Sequence, residues 1–503
     1  MTRTRTLGSR LPREPIATRL LRPRQRRDAL VLSGGGSRAS FEIGALRYLY
    51  DVVGIEPAVI AGTSAGSVLA VVLAQSADAA GQRRSLDDLE RIWRGLEASS
   101  DLFEETDWFA TLRRIAPEWV EVFQRRRRLA TTPSWIARPG GRPEEGVDGP
   151  ADAPLWAPFR SVEALLALRT LGRTGRDLER VLDSAERSQG VFVPGRITEL
   201  VQDPAVFDPA RVARSGVRLR IAVVGLESGE LRYVTEEGRL VDRANRPLPD
   251  AEPVALADAV RASSAIPVVF PPVLLSGEHY VDGGVREVLP LEIAARDLRA
   301  SRCYAVVASA GGSRPEGSFA DRNLVAIMYR SYSDIMWDEV LRDEVELARR
   351  SSAVTLIQPE VDVHDGLTVE PGLIAIAIDH GWMRAADVVR RSDEAQCRLT
   401  RDIVLLRRDL WAAQSAGAAA APVGSAAAAS VGSAAAGSTA SAAAGAAAAA
   451  AGGPTAGSTA GGRGGDGDGL PADVPALRHR LRELVAAKDD DLLPDGAHRW
   501  WQD

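Results

Sequence analysis

The sequence predicts an α/β protein whose mostly parallel central sheet is flanked by helices, with a helical cap inserted once. Three observations carry this expectation. Short apolar runs alternate with longer helical patterns from residue 28 to about 412. Two of those runs end in glycine-rich corners that open straight into helices, and the alternation breaks over 77–215, a stretch rich in arginine and glutamate.

Composition sets the outer limits. With 503 residues, 45% hydrophobic and 26% charged, the chain is globular in class and long enough for a sizeable core. A net charge of -6 argues against general affinity for nucleic acid. Cys303 and Cys397 are the only cysteines, which speaks against a disulfide framework. The five histidines show no HExxH spacing and there is no CxxC pair, so neither a metal nor another cofactor is expected.

Residues 1–27 form an arginine-rich arm with too few apolar groups to offset the entropy of ordering, and it reads as disordered. Arg26-Arg27 precedes an apolar run shorter than the roughly seven to fifteen residues of a signal, so no signal peptide is expected. The arm can touch anionic lipid heads. An apolar strand at 29–33 then leads into Gly34-Gly35-Gly36-Ser37-Arg38 and a helical pattern marked by Phe41, Ala45, Leu46 and Leu49. Bare glycine amides at a helix start form a site for a negative oxygen, either a nucleotide phosphate or the oxyanion of an acyl intermediate. A phosphate loop would need a lysine that is absent here, and Ala39 occupies the third glycine position of a dinucleotide fingerprint.

The second corner is Gly62-Thr63-Ser64-Ala65-Gly66, between the apolar run 59–61 and an apolar helix. Gly62 and Gly66 remove the Cβ atoms that would collide where strand meets helix, which pushes Ser64 outward as a candidate nucleophile. In a chain with 46 glycines the pentapeptide alone is equally a small-residue turn. The two corners lie about thirty residues apart, and a right-handed crossover brings both to one edge of the sheet.

Within 77–215, helices are expected near 86–96 and 162–185. Arg125 to Arg128 form a basic run, and Trp108, Phe109, Trp119 and Trp135 scatter among the charges. This region reads as a helical cap over the crevice, or as an insertion that only supports the fold. Strand patterns resume at 217–224 and 231–234. A helical run at 254–263 precedes a strand at 279–281 that ends in Asp282-Gly283-Gly284. That turn puts one carboxylate where a loop end can meet Ser64.

At these residues the chain resembles the patatin-like phospholipase family. Four blocks match in order: 33–38 looks like the family's oxyanion loop, 62–66 like its nucleophile elbow, 262–272 like its Ser-Ala-x-Pro segment, and Asp282-Gly283-Gly284 like its Asp-Gly-Gly motif. Ala39 departs from the family's usual glycine. The resemblance implies the patatin-like three-layer fold and a serine–aspartate dyad that cleaves acyl esters of phospholipids or related lipids without histidine or metal. Carried over, Ser64 attacks the ester carbonyl and Asp282 accepts and returns the proton. The amides of Gly34, Gly35 and Gly36 hold the oxyanion, and Arg38 belongs to the same substrate-binding loop.

Two other readings stay open. Asp379-His380 lies downstream, and the order Ser64, Asp282, His380 is that of an α/β-hydrolase triad. Alternatively, the same fold serves as a catalytically silent module that binds lipid or a partner. Past the dyad, a strand is expected at 302–309, a long helix at about 322–350, a strand at 354–357 and closing helices from 371 to about 411. The acyl hydrolase domain is therefore taken as 28–412. Residues 413–469 are an alanine-, glycine- and serine-rich linker, too weakly apolar to span a bilayer, and 470–503 carry a short amphipathic helix. That helix needs a surface, whether this domain, a membrane or a partner. The expected setting is cytoplasmic with peripheral membrane contact and a lipid substrate; any protein partner or oligomer is left undefined.

Overall fold

In the computed structural model, strand β1 (Asp28–Leu32) has every residue buried, which follows from apolar side chains on both of its faces. Leu30 and Leu32 join one core cluster while Ala29 and Val31 join another. A strand that buries both faces reads as a continuous apolar run, the mark of a parallel sheet covered by helices on both sides. The structure describes residues 27–112, 114, 203–313, 330–351, 353–420 and 473–502, with short runs and single positions between 177 and 195 and between 315 and 328. The expected basic arm up to residue 26, most of the 162–185 helix, the arginine run, Trp119, Trp135 and residues 421–469 of the expected linker lie outside the described residues, while 413–420, also expected as linker, continue a helix because alanine favours one.

Among the described residues ten further strands follow: β2 (Pro57–Gly62), β3 (Phe103–Glu105), β4 (Phe192–Pro194), β5 (Arg218–Gly225), β6 (Leu231–Thr235), β7 (Leu240–Asp242), β8 (Val273–Leu275), β9 (Glu278–Asp282), β10 (Arg302–Val306) and β11 (Val354–Ile357). The main sheet runs β11-β10-β1-β2-β5-β6-β7, with β9 on β5 and β8 on β9. From β11 to β5 all neighbours are parallel. Beyond β5 the pairings become antiparallel. The short strands β7 and β8, and the separate β3–β4 pair inside the expected cap, went unread in the sequence because three-residue strands show no usable alternation.

The helices are α1 (Ala39–Tyr48), α2 (Ala65–Leu73), α3 (Ala79–Arg94), α4 (Pro209–Ser215), α5 (Leu256–Ser263), α6 (Trp337–Arg349), α7 (Pro371–Arg390), α8 (Glu394–Ala420) and α9 (Val474–Ala487). The first core cluster packs α1, α2, α3, α5 and α7 on one face of the sheet. The second packs Leu341, Val345 and Ala348 of α6 on the other. Where one long helix was expected at 322–350, a wide helical run at Arg330–Met336 leads into the shorter α6.

Helix α9 docks on α7 and α8. Leu481 and Val485 are fully buried beside Met383, Ile403 and Val404. The chain's only lysine, Lys488, is buried next to it and donates to Asp387 Oδ1 at 3.0 Å and to the Gln396 carbonyl at 3.1 Å. Such a cation is tolerated inside a protein only when it is paired. Arg407 pairs with Asp379 at 2.8 Å and stacks over Trp500, 3.9 Å from its ring centre. Of the three surfaces left open for this helix, it occupies the main domain. Among the described residues no helix is long and apolar enough to cross a membrane.

Candidate active site

The nucleophile corner is built from close backbone approaches. A Cβ added to Gly62 would lie inside 3.0 Å of the Gly66 carbonyl, and one on Gly66 inside 3.0 Å of the Ser33 and Leu32 carbonyls. Only glycine fits at either position. Ser64 between them has φ 52° and ψ -127°, a conformation that costs an ordinary residue on the order of 1–3 kcal/mol. Its surroundings hold it there. The Ser64 amide donates to Ser263 Oγ at 2.9 Å, and the Ser64 carbonyl accepts from Ser67 Oγ at 2.6 Å.

Sheet register explains how Asp282 reaches the same place. On one edge of β5, β2 pairs up to Gly62 opposite Ile221. The antiparallel strand β9 takes over that edge, with Asp282 opposite Val223. The ends of β2 and β9 therefore meet head to head across Ala222. Ser263 Oγ donates to the Ala222 carbonyl at 2.7 Å while accepting from Ser64, which ties both ends to one point. Gly283 is required here too, since a Cβ would strike the Ala222 carbonyl at 2.6 Å.

Asp282 is fully buried. Its Oδ1 accepts from the Gly284 amide at 2.8 Å, and its Oδ2 has no hydrogen bond of ordinary geometry. Burial pushes its pKa from 3.8 up to about 7, opposed by the neighbouring Ser64 hydroxyl and the Gly284 amide. A carboxylate poised near neutrality beside a serine is a workable general base.

The glycine loop sits on the same edge, with two corrections to the sequence reading. The Gly34 amide donates to the Val288 carbonyl at 3.1 Å and is not free for an oxyanion. The amides of Gly35 and Gly36 have no acceptor among the described residues. Gly36 has φ 60° and packs against the Gly366 carbonyl, so its conformation and its surroundings both require glycine. Arg38 turns away from the crevice: its Nε donates to the His364 carbonyl at 3.2 Å and its Nη1 to Ser309 Oγ at 3.0 Å. It braces the loop rather than facing a substrate. Ser37 is fixed to the same segment, its amide donating to the Gly366 carbonyl at 2.9 Å and its hydroxyl to the Asp365 carbonyl at 3.0 Å.

Ser64 opens onto an apolar pocket of about 930 Å3 including its mouth, lined by residues such as Val68, Trp93, Phe103, Ile266 and Phe270. Among the described residues Arg261 is the one charged side chain lining it. Trp93, Phe103 and Pro194 come from within 77–215, so part of the expected cap region forms pocket wall. His380 takes no part. It is buried edge-on against Phe41, 5.0 Å between ring centres, its pKa depressed to about 3 by burial and then by Arg384, and Asp379 is committed to Arg407. Sequence reasoning passed over Ser263, Gly366 and Trp337, whose partners all lie far along the chain.

Burial raises the pKa of two more carboxyls, Glu287 and Glu344. Glu287 accepts from Tyr233 Oη at 2.5 Å, and burial pushes its pKa up to about 7. Glu344 accepts from the Leu289 amide at 2.7 Å; burial first, then the nearby Glu287, push it from 4.5 up to about 9. The unfolded chain releases the Glu344 proton near pH 4.5 while the folded chain keeps it to about pH 9. Stability from this group is therefore full below the lower value and declines across that window, by up to about 1.4 kcal/mol per pH unit. Glu344→Gln is neutral at every pH, so its melting temperature should gain on wild type as pH rises from about 6 to about 9. A gap that stays constant between those pH values refutes a neutral Glu344.

A strained corner serine, a buried carboxylate on the same sheet edge and an apolar pocket together have the layout of an α/β acyl hydrolase. The chain belongs to the patatin-like phospholipase family, whose model matches residues 30–295. Membership implies lipid acyl hydrolase activity and a lipid substrate. Among solved structures, the chain is similar to VipD from Legionella pneumophila, with a TM-score of 0.34 and 16% identity over 78% of this chain and 77% of that one. It is also similar to the ExoU–SpcU complex of the type III secretion system of Pseudomonas aeruginosa, with a TM-score of 0.20 and 15% identity over 78% of this chain and 63% of that one. No curated protein matches the chain.

Proposed function

We propose that this chain hydrolyses carboxylic esters of phospholipids through a Ser64–Asp282 dyad. Ser64 Oγ attacks the ester carbonyl carbon as its proton passes to Asp282, and the amides of Gly35 and Gly36 hold the oxyanion that forms. Collapse expels the lysolipid alkoxide, which takes the proton from Asp282. Water then attacks the acyl-serine, gives a proton to Asp282, and the fatty acid leaves as that proton returns to Ser64. The observation that carries this reading is the head-to-head meeting of β2 and β9 along β5, with Ser64 opening onto an apolar pocket.

The pocket's composition fits an acyl chain, and Arg261 at its wall fits a phosphate. Val268 and Leu274 are exposed on the segment that supplies Ile266, Phe270 and Val273 to the pocket, which supports peripheral contact with a lipid surface. In this reading 28–412 is the acyl hydrolase domain and 77–215 its cap. The test is fatty-acid release from phospholipid vesicles and from short p-nitrophenyl esters, wild type beside Ser64→Ala. The variant should lose about a thousandfold in kcat or more. Equal rates in the two proteins would defeat the enzyme reading in favour of a silent binding module.

A further inference from the structure

Helix α6 begins on one aromatic ring that touches both catalytic loops. A Cβ added to Gly34 would lie 2.5 Å from Cη2 and Cζ2 of Trp337 and 3.1 Å from Ser64 Cβ. A Cβ added to Gly284 would collide with the same ring, at Cζ3, Cη2 and Cε3. The six-membered ring of Trp337 thus fills two notches, one in the glycine loop and one in the turn that carries Asp282. Trp337 does not line the substrate pocket.

Two turns along the same face of α6, Glu344 accepts from the amides of Val288 and Leu289. Val288 in turn accepts the Gly34 amide through its carbonyl at 3.1 Å. The helix therefore meets the pair of loops twice, by a ring at its start and by a carboxyl further on. Leu341, Val345 and Ala348 seat it on the sheet between and beyond those points. One turn before Trp337, the Tyr332 hydroxyl is buried without a partner among the described residues, and burial first, then the Asp282 charge, keep that phenol protonated. Asp282 itself is fully buried, with Tyr332 close enough to feel its charge.

We infer that Trp337 is a positioning residue: its ring sets the distance between the glycine loop and the Asp282 turn and keeps water from the carboxylate's rear. The inference rests on the Ser64–Asp282 reading above. At both glycines the atoms nearest an added Cβ belong to this one ring. A small misplacement of reacting groups lowers turnover steeply, on the order of a hundredfold for about 1 Å. Loss of a desolvating neighbour also lets a buried carboxyl titrate closer to its ordinary value.

The test uses the full chain, a short water-soluble ester, and Trp337→Ala beside Trp337→Phe. Trp337→Ala should lower kcat by about a hundredfold with KM changed less than about threefold. It should also move the acid limb of the kcat–pH profile clearly below its wild-type midpoint. Trp337→Phe, whose smaller ring reaches only part of the way to the two glycines, should recover part of kcat and return the limb part of the way towards wild type. Where Trp337→Ala does not fold, Trp337→Leu decides by the same readouts, since it keeps apolar bulk without a ring edge for each loop. A wild-type kcat and an unmoved limb in the folded variant overturn the positioning role, provided Ser64→Ala is inactive. Activity surviving in Ser64→Ala overturns the dyad itself, which separates the two failures.

Discussion

Asp282→Asn should cost about a thousandfold in kcat on any ester while leaving the fold intact, because it removes the proton acceptor and little else. Asparagine keeps an oxygen for the Gly284 amide, the only hydrogen bond of ordinary geometry that the carboxylate makes among the described residues, and Asp282 is already closed to solvent. The pH dependence has a definite sign. With its pKa raised from 3.8 to about 7, Asp282 is protonated, and so unable to act as base, over the acid range where a surface aspartate would be ionised. Wild-type kcat should therefore fall roughly tenfold per pH unit below about pH 7. Stability runs the other way: holding this proton in the folded state favours folding at low pH, and the advantage is lost as pH rises through about 7. Asparagine should flatten that part of the stability curve. Steady-state kinetics and thermal unfolding from pH 5 to 8 on both proteins check each part. A flat wild-type kcat over that range, or more than a tenth of activity left in Asp282→Asn, rules out Asp282 as the base.

How far the site was legible follows from how local each cause is. Gly62, Gly66 and Gly283 could be read because a glycine beside a strand end reports a close backbone approach, although only Gly62 meets its own corner; Gly66 meets the carbonyls of Leu32 and Ser33, and Gly283 that of Ala222. Ser64 and Asp282 were named for the same reason, although what joins them, the shared edge of β5, is a fact of register. Gly34 misled because the partner of its amide is Val288, which no local pattern connects to it. Arg38 misled likewise: a basic residue after a glycine loop looks like an anion contact until the 364–366 segment arrives to receive it. Trp337 carries no motif at all, and its role exists only where two distant glycines meet one ring. The amphipathic stripe of α9 announced that it would be covered but not by what; buried Lys488 against Asp387 answers that in three dimensions.

Gly381→Ala should unfold the protein more easily, although the same change in an exposed helix interior stabilises by about 1 kcal/mol. Helices α1 and α7 cross with their backbones in contact. A Cβ on Gly44 would fall inside 3.0 Å of the Ile378 carbonyl, and one on Gly381 inside 3.0 Å of the Phe41 carbonyl and the Ala45 amide. The atoms in the way are backbone, so relief requires the helices to move apart, and overpacking of this kind costs roughly 1–3 kcal/mol or more. Net of the helix gain, the melting temperature should drop by several degrees. The displacement also reaches the site. Helix α1 starts directly after Arg38, and the 364–366 segment that grips Ser37 and Gly36 runs into α7, so separating the helices shifts the free amides of the glycine loop against Ser64. Turnover on a soluble ester should therefore fall along with stability, measured well below the variant's own melting temperature. A melting temperature equal to or above wild type would mean the crossing has slack, and the sign alone decides, because intrinsic helix preference and steric contact push in opposite directions.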